Sequence, residues 1–181
     1  VTLVGWSYGG LVISDFVRIY GTERVAGINF VGAAVKLNEA AIGPFIGPGF
    51  YETFEAAVSN DLVASIDAIR AFLNTCFRKK LSRQEYERFL CFNMAVRPDV
   101  RGSIAARDLD NIDVLKTLKV PVLVTHGEMD TTVLPSMGHC ILEHCELSEA
   151  SWYEGVAHGP FIEDAARFNH ELDVFARRVN P

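Results

Sequence analysis

Gly5-Trp6-Ser7-Tyr8-Gly9 sets a serine two residues from a glycine on either side. That spacing suits a sharp strand-to-helix turn: glycines keep Cβ atoms out of the bend, and the hydroxyl is left exposed at the end of a sheet. Ser7 is the candidate nucleophile. A serine hydroxyl attacks poorly at neutral pH, so an imidazole must accept its proton and later return it to a leaving group. A carboxylate must then hold the ring in the right tautomer and stabilise the imidazolium. The chain contains five histidines and 23 acidic residues, so composition alone leaves both partners unassigned.

The flanking pattern supplies the elements such a turn requires. Val1 to Val4 reads as a short buried strand, and Leu11, Val12, Phe16 and Ile19 follow at helical spacing, with Gly21 placed to end the helix. A second buried strand is predicted over Val25 to Val31, ended by Gly32-Ala33-Ala34. From Leu37 to Asp99 the pattern turns helical, entered through the Gly/Pro-rich stretch Gly43 to Gly49. Within it Leu62, Ile66, Ile69, Leu73 and Cys76 form one apolar face, Ser82 to Glu85 is a capping box opening a helix through Phe92, and Pro98 marks the exit. Its Phe45, Phe50, Tyr51, Phe54, Phe72, Phe77, Phe92 and Met94 suit either an apolar pocket or ordinary helical core. Val120 to Thr125 is a continuous apolar run of the kind found in parallel strands covered on both faces. A helix over Pro135 to His144, a strand near Ser151 to Tyr153 and a last helix from Pro160 to Arg178 follow. Alternating strands and helices imply a parallel α/β sheet.

With these elements in order, the chain resembles the C-terminal part of an α/β-hydrolase, beginning at the nucleophile turn. The resemblance implies residues 1–36 and 100–181 as the C-terminal half of a parallel sheet with flanking helices, and 37–99 as an inserted helical cap. It also implies the order serine, acid, histidine, with the acid after a late strand and the histidine after the last one. Those positions are Ser7, Asp130 in His126-Gly127-Glu128-Met129-Asp130, and His158 in Gly155-Val156-Ala157-His158-Gly159-Pro160. Glu128 is a rival acid in the same loop, expected to face solvent. His126 sits at a strand end and His139, His144 and His170 fall on predicted helices, which leaves His158 with the loop setting. The resemblance assigns the backbone N–H of Tyr8 to an oxyanion hole whose second donor would come from sequence upstream. Trp6, Phe50, Phe54 and Phe161 are the candidate substrate contacts.

Composition excludes some classes of partner. A formal net charge of −6 and the absence of a basic cluster argue against nucleic acid, and no apolar run reaches the roughly 18 residues of a membrane span. Cys76, Cys91, Cys140 and Cys145 lack disulfide-framework spacing and read as reduced thiols, from which a cytoplasmic location is expected. His139-Cys140 and His144-Cys145 are better explained by a helix with buried cysteines than by a metal site. No cofactor or metal is expected. Because the chain starts at Val1, the natural N-terminus and any targeting segment are expected to lie outside it.

The stretch from Gly21 to Gly27, followed by Phe30-Val31-Gly32-Ala33, is similar to cofactor-free haloperoxidases and related esterases. Those relatives imply hydrolysis of a small to medium hydrophobic carboxylic ester through an acyl-serine, with perhydrolysis as a side activity. Acyl transfer to another alcohol or amine, and a slow-turnover small-molecule receptor, are the alternatives. The truncated sheet implies an unpaired apolar edge at the first strand, and an isolated chain that folds poorly or works weakly. Oligomeric state is not legible.

Overall fold

The computed structural model describes residues 1–180. Its strands are β1 (Thr2–Trp6), β2 (Gly27–Val31), β3 (Lys36–Leu37), β4 (Leu109–Asp110), β5 (Val122–Gly127) and β6 (Ser148–Tyr153). The helices are α1 (Gly9–Tyr20), α2 (Pro48–Ala57), α3 (Leu62–Cys76), α4 (Arg83–Met94), α5 (Pro98–Ala105), α6 (Ile112–Thr117), α7 (Pro135–His144), α8 (Pro160–Glu163) and α9 (Ala165–Val179).

Four strands form one parallel sheet in the order β1-β2-β5-β6. The two middle strands, β2 and β5, are buried at every position, as parallel strands covered on both faces must be. Their side chains alternate between two cores. Ile28, Phe30, Val122 and Val124 pack with Leu11 and Val17 of α1, Leu115 of α6 and Met137 of α7, whereas Val31 joins Tyr153 and Phe168 of α9. Helices therefore cover both faces, and all the parallel strands present their C-terminal ends along one edge.

Helices α2 to α5 intervene between β3 and β4, which pair antiparallel and so bring the two ends of this helical excursion together. The excursion has its own apolar cluster around Ala68, Ile69, Leu73, Cys76 and Phe77. The Ser82–Glu85 capping box forms in full, with each side chain serving the other residue's backbone N–H.

Several expectations need correction. Pro98 starts a helix rather than marking an exit, because proline at the first helical position lacks only an N–H that would be orphaned there anyway. The last helix is two: Asp164 leaves helical geometry and its carboxylate accepts from Arg167 N–H, capping α9 afresh. Leu62, in the first turn of α3, is exposed while Ile69, Leu73 and Cys76 are buried. The β1 strand lies at the sheet edge as expected, but it is not buried, with Val4 half exposed, and Val12, Phe16 and Ile19 of α1 face outward instead of inward.

Candidate active site

Ser7 occupies the turn between β1 and α1 at φ 54°, and among the described residues no other non-glycine residue has positive φ. Three backbone bonds hold it there: its N–H donates to Val31 O at 3.1 Å, and its carbonyl accepts from Gly10 N–H at 3.1 Å and Ala34 N–H at 3.0 Å. Two glycines make the turn sterically possible. A Cβ on Gly5 would come within 2.8 Å of Gly9 O, and one on Gly10 within 2.4 Å of Ala34 O. Gly9 faces open space, so the second glycine the bend requires is Gly10, outside the five-residue pattern. The Tyr8 N–H donates to no described group. Its phenol donates to Ile104 O and accepts from Arg107, which also pairs with Asp15.

Asp130 and His158 meet across the C-terminal ends of β5 and β6. Both are buried, and His158 Nδ1 lies 2.7 Å from Asp130 Oδ2. Oδ1 of Asp130 is occupied separately by the N–H groups of Thr132 (2.8 Å) and Val133 (3.0 Å), which aim the other oxygen at the ring. With an ionised acid, Nδ1 carries the proton and donates it into that bond, so Nε2 keeps its lone pair. That Nε2 is buried with no hydrogen-bond partner among the described residues. The ring is held by its own backbone, since His158 N–H donates to Cys76 O at 3.0 Å and Trp6 Nε1 donates to His158 O at 2.7 Å.

Gly32 lets these parts meet. It follows β2 with φ 45°, and a Cβ there would sit 3.2 Å from Asp130 Oδ2 and 3.3 Å from His158 Nδ1. The sequence marked Gly32 only as a strand terminator; its role needs three distant segments in one place.

A second imidazole abuts the acid. His126 Nε2 lies 2.9 Å from Val133 O and 3.6 Å from Asp130 Oδ2, with Nδ1 unpartnered. Burial pushes its pKa down against the opposing pull of Asp130, so it stays neutral. Glu128, by contrast, is exposed.

Beside Ser7 opens a cavity of about 340 Å³. Tyr8 and Leu11 wall it from the sheet side, Phe50 and Phe54 from α2, and Ile69 and Phe72 from α3. The guanidinium of Arg101 reaches this cavity wall, but Nε donates to Val96 O and Nη1 to Ala57 O and Ser65 Oγ, so it ties α5 to α2 and α3. An adjoining cleft shares Leu37, Phe50, Phe54 and Ala105 with the cavity and carries Glu39, Arg107 and Asp108 at its rim. Two expected substrate contacts lie elsewhere: Trp6 and Phe161 pack on each other (4.9 Å between centroids), and Trp6 also stands against the His158 ring, as part of the α9-side core. Phe92 is exposed and Phe77 belongs to the helical core.

Among the described residues, no group of three or more His, Cys, Asp or Glu side chains is placed to hold a metal ion. Burial raises the Cys76 and Cys145 thiols to about 12, which leaves them protonated. No described helix is long and apolar enough to cross a membrane.

A parallel α/β sheet with a serine on a strained turn and a buried histidine–aspartate pair at the same edge defines a class of catalyst-like scaffold. No family profile matches the chain. It is 24% identical to a pimeloyl-[acyl-carrier protein] methyl ester esterase of Wigglesworthia glossinidia brevipalpis over 98% of the chain and 70% of that protein. Among solved structures it is similar to the esterase RhEst1 from Rhodococcus sp. ECU1013, with 35% identity and a TM-score of 0.90 over 96% of the chain and 64% of that structure. It is also similar to a bromoperoxidase from Bacillus anthracis, with 25% identity and a TM-score of 0.81 over 97% of the chain and 67% of that structure. The chain thus spans between 64% and 70% of the length of these proteins. It belongs to the α/β-hydrolase superfamily, and its named relatives are chiefly esterases.

Proposed function

We propose that the protein is a serine hydrolase of small to medium hydrophobic carboxylic esters, acting through an acyl-serine. The observation that carries this is the buried Asp130–His158 pair whose free Nε2 sits at the sheet edge that also presents Ser7. In this reading Ser7 Oγ attacks the ester carbonyl as His158 Nε2 takes its proton, and Asp130 stabilises the imidazolium. The tetrahedral oxyanion accepts the Tyr8 N–H, and the ester C–O bond then breaks with the proton passing from Nε2 to the departing alkoxide. Water attacks the acyl-serine by the same route, His158 again serving as base, and releases the acid.

Helices α2 to α5 act as the cap, and the cavity beneath them accepts the apolar part of the substrate. The likeness to a bromoperoxidase favours one side reaction, in which hydrogen peroxide replaces water at the acyl-serine and a peracid is released.

Intact-protein mass after exposure to a fluorophosphonate tests the assignment. One adduct is expected on the unsubstituted chain, none on Ser7→Ala, and at least a hundredfold slower labelling on His158→Ala. Labelling that survives Ser7→Ala, or a labelled chain that turns over no ester from acetate to octanoate, would overturn it.

A further inference from the structure

Glu163 closes the short helix α8 and binds outside it on both sides. Its Oε1 accepts the N–H of Ala157 at 2.8 Å, the residue next to His158. Its Oε2 accepts the N–H of Arg78 at 2.7 Å and of Lys79 at 3.0 Å, in the segment that follows α3. One carboxylate thus joins the histidine loop to the helical excursion through three backbone amides, with no side chain intervening. A capping carboxylate serves the N–H groups of its own first turn; this one serves two segments nearly 80 residues apart.

The junction lies at the end of a cavity wall. Ile69 and Phe72 of α3 line the cavity, α3 ends at Cys76, and Cys76 O accepts the His158 N–H. Phe77 then packs so closely on Gly159 that a Cβ there would meet its ring at 2.3 Å. Residues 157–159 are therefore held to residues 76–79 by His158 N–H to Cys76 O, by the Phe77–Gly159 contact and by the Glu163 bridge. A displacement of 76–79 by a ligand pressing on α3 would thus have a direct route to the backbone of His158.

We propose that Glu163 is a positioning residue that couples occupancy of the cavity to the placement of His158, so that esters filling the cavity are turned over faster than those leaving it empty. The inference rests on the serine-hydrolase reading. Misplacing a catalytic group by about 1 Å can cost on the order of a hundredfold in rate, so a small backbone shift suffices.

The test compares p-nitrophenyl hexanoate with p-nitrophenyl acetate in the full chain and in Glu163→Gln. Glutamine is isosteric but offers an acceptor to only one of the two segments, since its NH2 group would face N–H donors on the other. The unsubstituted chain is expected to show a higher kcat on hexanoate. Glu163→Gln should lose that preference, with hexanoate kcat falling about tenfold, acetate kcat changing less than about twofold and KM nearly unchanged for both. An equal loss on both esters would mark a purely structural role, and no loss would mark an idle bridge; either overturns the proposal. Amide hydrogen exchange on the unsubstituted chain decides the matter should Glu163→Gln fail to fold. A hexyl phosphonate adduct is expected to change protection in 76–79 and 156–159 together, relative to a methyl adduct, and independent behaviour of the two segments would refute the coupling. A chain that forms no adduct at Ser7 fails at the serine-hydrolase reading itself and takes the coupling with it.

Discussion

At Ser7 the backbone holds a costly conformation: a non-glycine residue at φ 54° costs of order 1–3 kcal/mol, which the bonds to Val31, Gly10 and Ala34 must offset. The two glycines that follow Tyr8 guard that arrangement unequally, one crowded and one open. Gly10→Ala should destabilise the fold by about 1–3 kcal/mol because its Cβ meets backbone, whereas Gly9→Ala, facing open space at the first position of α1, should be neutral or gain up to about 1 kcal/mol. Denaturant unfolding of the two variants checks the contrast. Asp130→Asn tests the acid more sharply than alanine. The amide oxygen can keep the Thr132 and Val133 N–H groups, but its NH2 faces His158 Nδ1 and forces the proton onto Nε2. Ester kcat should fall about 10⁴-fold with the melting temperature little changed.

Among the elements, α2, α3 and α5 wall the cavity beside Ser7. Ala105, near the end of α5, lines both the cavity and the adjoining cleft, so a larger side chain there narrows the passage without touching Ser7 or His158. Ala105→Leu is expected to lower kcat/KM for hexanoate esters about tenfold and leave acetate esters within about twofold, read from initial rates. The break between α8 and α9 shapes the Glu163 bridge. Ending α8 at Glu163 turns its carboxylate toward residues 157 and 78–79, while Asp164 starts α9 with a cap of its own.

For the molecule as a whole, the buried imidazole of His126 links stability to pH. His126 is neutral in the fold because burial lowers its pKa, whereas in the unfolded chain it titrates near 6.5. The unfolded state therefore takes up more protons as pH falls below about 6.5, and stability is lost progressively until the folded pKa is reached; above about 7.5 this group has no effect. Unfolding midpoints at pH 7.5 and 5.5 should differ more for the unsubstituted chain than for His126→Gln, and equal differences would show that His126 is not the source. The exposed ion pairs, such as Arg83–Glu87 and Arg97–Asp99, add little to this balance. Val4 on the β1 edge and Val12, Ile19 and Tyr20 of α1 are exposed apolar side chains.

Local chemistry was legible from the chain alone. The glycine spacing around Ser7, the apolar run of β5, the capping box at Ser82 and the stop at Gly21 are each patterns of residues a few positions apart, so short-range steric and hydrogen-bond rules suffice to read them. The histidine and acid were assigned through resemblance, and the one local feature that separates His158 from the four other histidines is its loop setting. Tertiary structure alone decided that Trp6 packs on the His158 ring and Phe161 on Trp6 rather than lining the cavity, that Gly10 and Gly32 are steric requirements, that Phe16 and Ile19 face outward, and that Glu163 bridges two distant segments. Each of these turns on which distant segments the sheet order brings into contact, and hydrophobic periodicity states that a face is apolar without stating what, if anything, covers it.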